Sequence, residues 1–135
     1  MSETIDNAIG YARDVVGKDP MATFLGITVE EVREGYARCS LTVTPDLLNA
    51  ADRAHGSTVY AVADQAFAVA SNSTGARALG MHFSISFIAA ARGGETITAE
   101  ATPRNIGRKT SVWQIDVRGD DGRLIASGEG IAYHK

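Results

Sequence analysis

Cysteine is almost missing from this chain of 135 residues. Cys39 stands alone, so no intrachain disulfide can form and a disulfide-braced scaffold is excluded. A surplus of positive charge is missing as well: 13 Lys+Arg against 16 Asp+Glu give a net charge of −3, and nothing in the bulk electrostatics draws the molecule to nucleic acid or to an anionic bilayer. The longest weakly polar stretch, Val59 to Ala70, is broken by Asp64 and Gln65 and falls short of the ~20 residues that a membrane span needs. The start, Met1-Ser2-Glu3-Thr4, lacks the cationic-then-apolar layout of a secretory leader, which gives the expectation of a cytoplasmic protein. His55, His82 and His134 lie far apart in sequence and share no Cys/His ligand spacing, so no metal site is expected.

What is present fits one globular domain over residues 1–135, with 44% hydrophobic and 21% charged residues. Ile5, Ala8, Ile9, Ala12, Val15 and Val16 form a stripe at helical spacing, with Thr4 as N-cap and Gly17 then Pro20 as stop signals. Gly26 to Val32 and Tyr36 to Val43 read as a hairpin turned by Glu34-Gly35, the second strand burying Ala37, Cys39, Leu41 and Val43. Residues 44–54 read as a loop. A helix from Gly56 to Ser73 follows, apolar on every face and therefore expected to be enclosed. Four strands complete the chain, near Met81 to Ile88, Glu95 to Arg104, Thr110 to Arg118 and Arg123 to Tyr133. Helix, hairpin, buried helix and four strands together predict an α+β fold in which an antiparallel sheet wraps one long central helix.

Asp64 does not suit that helix. It is the only side chain charged at neutral pH between Gly56 and Thr74, and an unpaired buried carboxylate costs several kcal/mol or is pushed to a raised pKa. Such an Asp needs a partner, a route to solvent, or a chemical task. Nearby stand Asn49 in the preceding loop and His55-Gly56 at the helix start, where an amide without an intrahelical acceptor can bind an oxyanion or a polarised carbonyl. Gly56 and Asp64 are eight residues apart, on the order of 12 Å along a helix axis. One helix therefore cannot hold a single carbonyl between the two groups. If the amide polarises that carbonyl while the carboxylate attacks or directs water, the groups come from different chains, and catalysis requires a dimer.

The chain resembles the hotdog-fold acyl-CoA thioesterases of the PaaI type, the group associated with phenylacetate degradation. The resemblance runs from the opening helix and Phe24-Leu25-Gly26-Ile27 to the closing strand. Its most specific portion is Asn49, then His55-Gly56, then Ala63-Asp64-Gln65-Ala66-Phe67-Ala68 and Ser71-Asn72-Ser73-Thr74-Gly75. It implies a homodimer that associates further into a homotetramer, and hydrolysis of an acyl-CoA, with phenylacetyl or hydroxylated aromatic acyl groups favoured. Asp64 would be the general base on water or the nucleophile toward the thioester carbon, and the Gly56 amide would polarise the thioester oxygen. Asn49 would position water or substrate, and His55 would orient its neighbours. No cofactor is implied, since coenzyme A belongs to the substrate. His55-Gly56-Ser57 stands where relatives often have His-Gly-Gly, and Ile88-Ala89-Ala90-Ala91 where a basic residue and Pro are frequent.

The nucleotide phosphates of coenzyme A call for local positive charge. Arg104, Arg108 and Lys109 gather around Asn105-Ile106-Gly107 and are the candidates, with Arg92 a further option. Two other readings are open: a non-catalytic acyl-CoA-binding hotdog protein, and a hotdog enoyl-CoA hydratase. The second is disfavoured because no His follows Asp64 at close helical spacing to share proton transfer.

Overall fold

The structure is a computed structural model and describes residues 2–135. Met1, the first residue of the leader reading, lies outside them. The opening helix α1 covers Ser2–Tyr11 and runs on as a π-helical turn over Ala12–Val16. Thr4 thus sits inside the helix rather than capping it. After Gly17 comes a second helix, α2, over Pro20–Leu25, which the hydrophobic periodicity did not reveal. Six residues are too few to display a stripe. Its ends were nevertheless written in the sequence: the Asp19 side chain accepts the Ala22 N–H at 3.0 Å, Pro20 takes the first turn, and Gly26 closes the helix at φ 77°.

The strands are β1 (Thr28–Arg33), β2 (Tyr36–Thr42), β3 (Ala78–Phe87), β4 (Thr96–Ile106), β5 (Thr110–Arg118) and β6 (Leu124–His134), and the central helix α3 spans Gly56–Ser71. They form one antiparallel sheet in the order β1-β2-β4-β5-β6-β3, so that β3, which follows the helix directly, crosses over to an outer edge. Helix α3 lies on this sheet and touches every strand. Val62, Ala63, Ala66, Phe67 and Val69 of α3 meet Cys39 and Leu41 of β2, Ile97 and Ala99 of β4, and Trp113 and Ile115 of β5 in a single buried core. Gly130 of β6 lets the Phe67 ring approach the sheet closely, since a Cβ there would stand 2.8 Å from the ring. At its far end α3 is clamped by Asn72, whose amide donates to the Ala68 and Ala78 carbonyls and accepts from the Ala78 N–H. No helix of the described residues is long and apolar enough to cross a membrane.

One expectation about burial needs correction. Helix α3 is not enclosed on all sides: Tyr60, Ala61, Asp64 and Ala68 border open grooves, because on the side away from the sheet only the turn Ala12–Val16, among the described residues, packs closely against it. Phe87 alternates with Phe83 and Ile85 in sequence but is 56% exposed: at the end of edge strand β3 its ring lies beside Gly56, at the very start of α3, and walls an open groove.

Candidate active site

The start of α3 is built by its own sequence. His55 is the N-cap: its Nδ1 accepts the Ser57 N–H at 3.0 Å, and its carbonyl accepts the N–H groups of Thr58 and Val59. With Nδ1 used as an acceptor, Nε2 is the ring nitrogen left to donate. The Thr58 hydroxyl and the His55 N–H both donate to the Leu47 carbonyl at 2.9 Å, which ties the Pro45–Leu47 turn to the first helical turn. Gly56 follows the cap, and its N–H makes no hydrogen bond among the described residues. That free donor sits at the positive end of the helix dipole.

Asn49 shares a groove of about 380 Å³ with Gly56, walled by Arg53, Val59, Phe87 and the segment 88–91. Its Oδ1 accepts two backbone N–H groups of its own loop, from Ala51 at 2.9 Å and Arg53 at 3.1 Å. Only the amide nitrogen is left for a ligand, so Asn49 can act here as a donor and not as an acceptor. Two donors, the Gly56 N–H and Asn49 Nδ2, therefore share this groove, and a carbonyl oxygen that gains negative charge suits them both. Ser57 lines a different groove, so the side chain that departs from His-Gly-Gly leaves the Gly56 side open.

Asp64 lies two turns further along α3, where two other grooves meet. One, of about 670 Å³, is walled by Met21, Phe24 and Leu25 of α2, by Ile27, and by Leu47 and Leu48, with His55 and Ser57 at its rim. The other, of about 540 Å³, runs past Tyr11, Ala68 and Ser71 to Arg77 and Lys135. The Asp64 side chain opens to these grooves, contrary to the sealed position expected from its apolar neighbours in sequence. Burial of the carboxyl still raises its pKa above the ordinary aspartate range, and the negative charge of Asp19 raises it further. Tyr60, one turn before Asp64, packs on Phe83 at 5.2 Å between ring centres and lines both grooves. Its hydroxyl is likewise raised, by burial and then by Asp64. Neither Asp19 nor Tyr60 was singled out from the sequence; the Asp-Pro start of α2 was the available signal for the first.

Within one chain, then, the donors Gly56 and Asn49 and the carboxylate Asp64 open into separate grooves. The basic candidates lie elsewhere. Arg104 Nε donates to Gln114 at 3.0 Å and approaches Glu129 at 3.6 Å, while Arg108 and Lys109 occupy the β4–β5 turn. None of the three lines the Asp64 grooves of its own chain. The turn is nonetheless tied to the basic end of the second groove, as the His134 N–H donates to the Lys109 carbonyl at 2.8 Å and the Lys135 N–H to the Arg77 carbonyl at 2.9 Å. Arg92 faces Asp120 at 3.5 Å, at the other end of the sheet's loops.

Two further clusters have structural partners. Ser111 and His134 meet at 2.7 Å, but Ser111 is fully buried and receives the Trp113 indole N–H at 2.7 Å, which seals the pair in the core. Glu95, Asp120 and Asp121 converge near the β5–β6 turn, where Arg123 already pairs with Glu95 at 3.0 Å and with Asp121 at 2.7 Å.

Comparison with known proteins agrees with this architecture. Residues 52–126 match the thioesterase superfamily, a stretch that contains the whole of α3 and most of the sheet. The acyl-coenzyme A thioesterase PaaI of Escherichia coli is 35% identical over 115 residues, covering 85% of this chain and 82% of the relative. The solved structure of E. coli PaaI, from the phenylacetic acid degradation operon, superposes with a TM-score of 0.91 over 98% of this chain and 96% of that one, at 31% identity. A point mutant of the phenylacetic acid degradation protein PaaI of Thermus thermophilus superposes with a TM-score of 0.83 over 87% of this chain and all (100%) of that one, also at 31% identity. The chain belongs to the thioesterase superfamily, as a hotdog-fold thioester hydrolase of the PaaI type.

Proposed function

We propose that this enzyme hydrolyses acyl-CoA thioesters, with aromatic acyl groups of the phenylacetyl kind as the preferred class, at sites shared between two chains of a homodimer. The observation that carries the reading is the separation of Asp64 from the Gly56 amide on one rigid helix, about 12 Å apart along the axis by the rise per residue. The two grooves have no lining residue in common, which supports it. A carbonyl bound by Gly56 and Asn49 of one chain is then attacked under the control of Asp64 of the other. Water adds to the thioester carbon as Asp64 takes its proton, the oxygen develops negative charge against the two donors, and the C–S bond breaks to release CoA thiolate and the acid. Direct attack by Asp64, through an acyl-enzyme anhydride, uses the same geometry.

The apolar wall of Met21, Phe24, Leu25 and Leu47 suits an aryl or alkyl acyl group. The second groove, with Arg77 and Lys135 at its end and Arg108 and Lys109 on the adjoining turn, suits the phosphates of coenzyme A. Edge strand β3 supports the dimer: Leu79 and Met81 are 58% and 62% exposed along an unpaired edge that a second copy would cover. Such dimers are proposed to pair further into a tetramer.

Thiol release from a panel of acyl-CoAs tests the reading. Asp64→Asn, near-isosteric and on an open groove, is expected to keep the fold and the assembly while losing turnover by about 100-fold or more. Equal rates in the two proteins would refute the role of Asp64. Hydration of an enoyl-CoA without thiol release would favour the hydratase reading, and binding without turnover the non-catalytic one.

A further inference from the structure

We propose that Asp19 is a positioning residue of this active site: a second carboxylate, set opposite Asp64 where the two grooves meet, that acts on the reaction through Asp64. The inference rests on Asp64 being the base proposed above.

Among the described residues only Asp19, Tyr60 and Asp64 line both grooves, so Asp19 stands at the same junction as the reacting carboxylate. Its place there is held from two sides. Gln65, the buried residue next to Asp64, donates to the Val16 carbonyl at 2.7 Å, and the Asp19 N–H bonds the same carbonyl at 3.3 Å. The turn that carries Asp19 is thus tethered to the helical turn that carries Asp64. One Asp19 oxygen caps α2 by accepting the Ala22 N–H, and Pro20 stiffens the step that follows. No cation lies within 4.0 Å of Asp19 among the described residues; its neighbour Lys18 instead reaches Asp14 at 3.8 Å.

Two carboxylates facing one partly desolvated cleft resist ionising together, because each anion raises the cost of forming the other. Negative charge at Asp19 therefore makes Asp64 hold a proton more tightly, in the direction already noted for the Asp64 pKa. A base with higher proton affinity takes the proton of attacking water more readily, provided that it is ionised at the working pH. The other groups around Asp64 are Tyr60 and His55 on α3, Asp46 from the Pro45–Leu47 turn, Tyr11 from α1, Arg77 ahead of β3 and Lys135 at the chain end. Of all these groups and Asp19, only Asp19 adds to burial in shifting Asp64.

The decisive experiment titrates the Asp64 carboxyl by ¹³C NMR in the full-length oligomer, its resonance assigned by its loss in Asp64→Asn. The wild type is compared with Asp19→Asn, a variant that keeps an N-cap acceptor for α2 while removing the charge. Asp19→Asn is expected to lower the Asp64 midpoint by at least about half a pH unit and to move the acid limb of kcat/KM down with it. An unmoved midpoint in a folded Asp19→Asn protein would overturn the role of Asp19. Full turnover by Asp64→Asn would overturn the functional reading itself, a separate and distinguishable result.

Discussion

Asp64 weakens the fold it serves. A carboxyl whose pKa is higher in the folded than in the unfolded chain favours folding only where it is protonated, below its unfolded pKa. That contribution is lost as the pH rises through the folded value, so at neutral pH the ionised group is a burden. Asp64→Asn is therefore expected to melt at a higher temperature than the wild type at pH 7, and to show no such gain at a pH below the ordinary aspartate range. Thermal unfolding at the two pH values checks this, and a loss of stability at pH 7 would contradict it. Asn49 permits a cleaner separation of structure from chemistry. Asn49→Asp keeps the oxygen that accepts the Ala51 and Arg53 N–H groups, while it replaces the nitrogen donor by a second oxygen and adds a negative charge to the groove. It should leave the melting temperature nearly unchanged and lower kcat by more than about 100-fold, the usual cost of losing one oxyanion donor, because the new charge also repels the developing oxyanion. Asn49→Ala, which loses both functions, should lose stability as well.

Among the elements, the loops that wall the Gly56 groove depend on one buried carboxylate. Glu95 is 1% exposed in its side chain and receives the Arg92 N–H at 2.9 Å, the Asp120 N–H at 3.1 Å and the Arg123 guanidinium at 3.0 Å. Burial opposes its charge, but these donors outweigh that effect and hold the carboxyl down at about 2. Arg123 also donates to the Ala90 carbonyl at 2.7 Å, and the Ala91 carbonyl accepts the Ala54 N–H at 2.9 Å, so the knot reaches the residue before His55-Gly56. Because the folded pKa is depressed, its stabilisation is present above the unfolded value of 4.5 and fades as the pH falls toward 2. Glu95→Gln should cost about 2 kcal/mol at pH 7, below the ~3–5 of a fully enclosed pair because Arg123 remains 26% exposed, and should flatten the acid loss of stability measured by denaturant unfolding. The same scale shows what the sequence could express. Helix α3 was legible as a long apolar run begun by His55-Gly56, and the strands through alternation, as in Trp113, Ile115 and Val117 on one face of β5. Helix α2 was not, since Asp19-Pro20 and Gly26 mark its ends but too few residues lie between them to show a face. With α2 went Asp19 and the apolar wall. The open face of α3 was hidden for another reason: Tyr60, Ala61 and Ala68 are apolar residues that serve a groove, and composition cannot distinguish a groove lining from a core.

For the whole molecule, the account requires a second chain, and β3 is where it should attach. An unpaired sheet edge with exposed Leu79 and Met81 is unfavourable to leave in water. Met81→Asp is expected to shift sedimentation toward the monomer and to lower thiol release in proportion to the dimer lost; a fully active monomer would contradict a shared site. Subunit complementation is the most direct measurement. A Gly56→Val chain retains Asp64 but loses access to its amide, whereas an Asp64→Asn chain retains the amide but loses the base, and each homodimer should be inactive. After denaturation and co-refolding in equal amounts, a mixed dimer carries one intact site built from both chains, and statistical pairing predicts about a quarter of wild-type activity in the mixture. Recovery near that level is the result the account predicts. Mixed dimers shown to form and yet devoid of thiol release would contradict it.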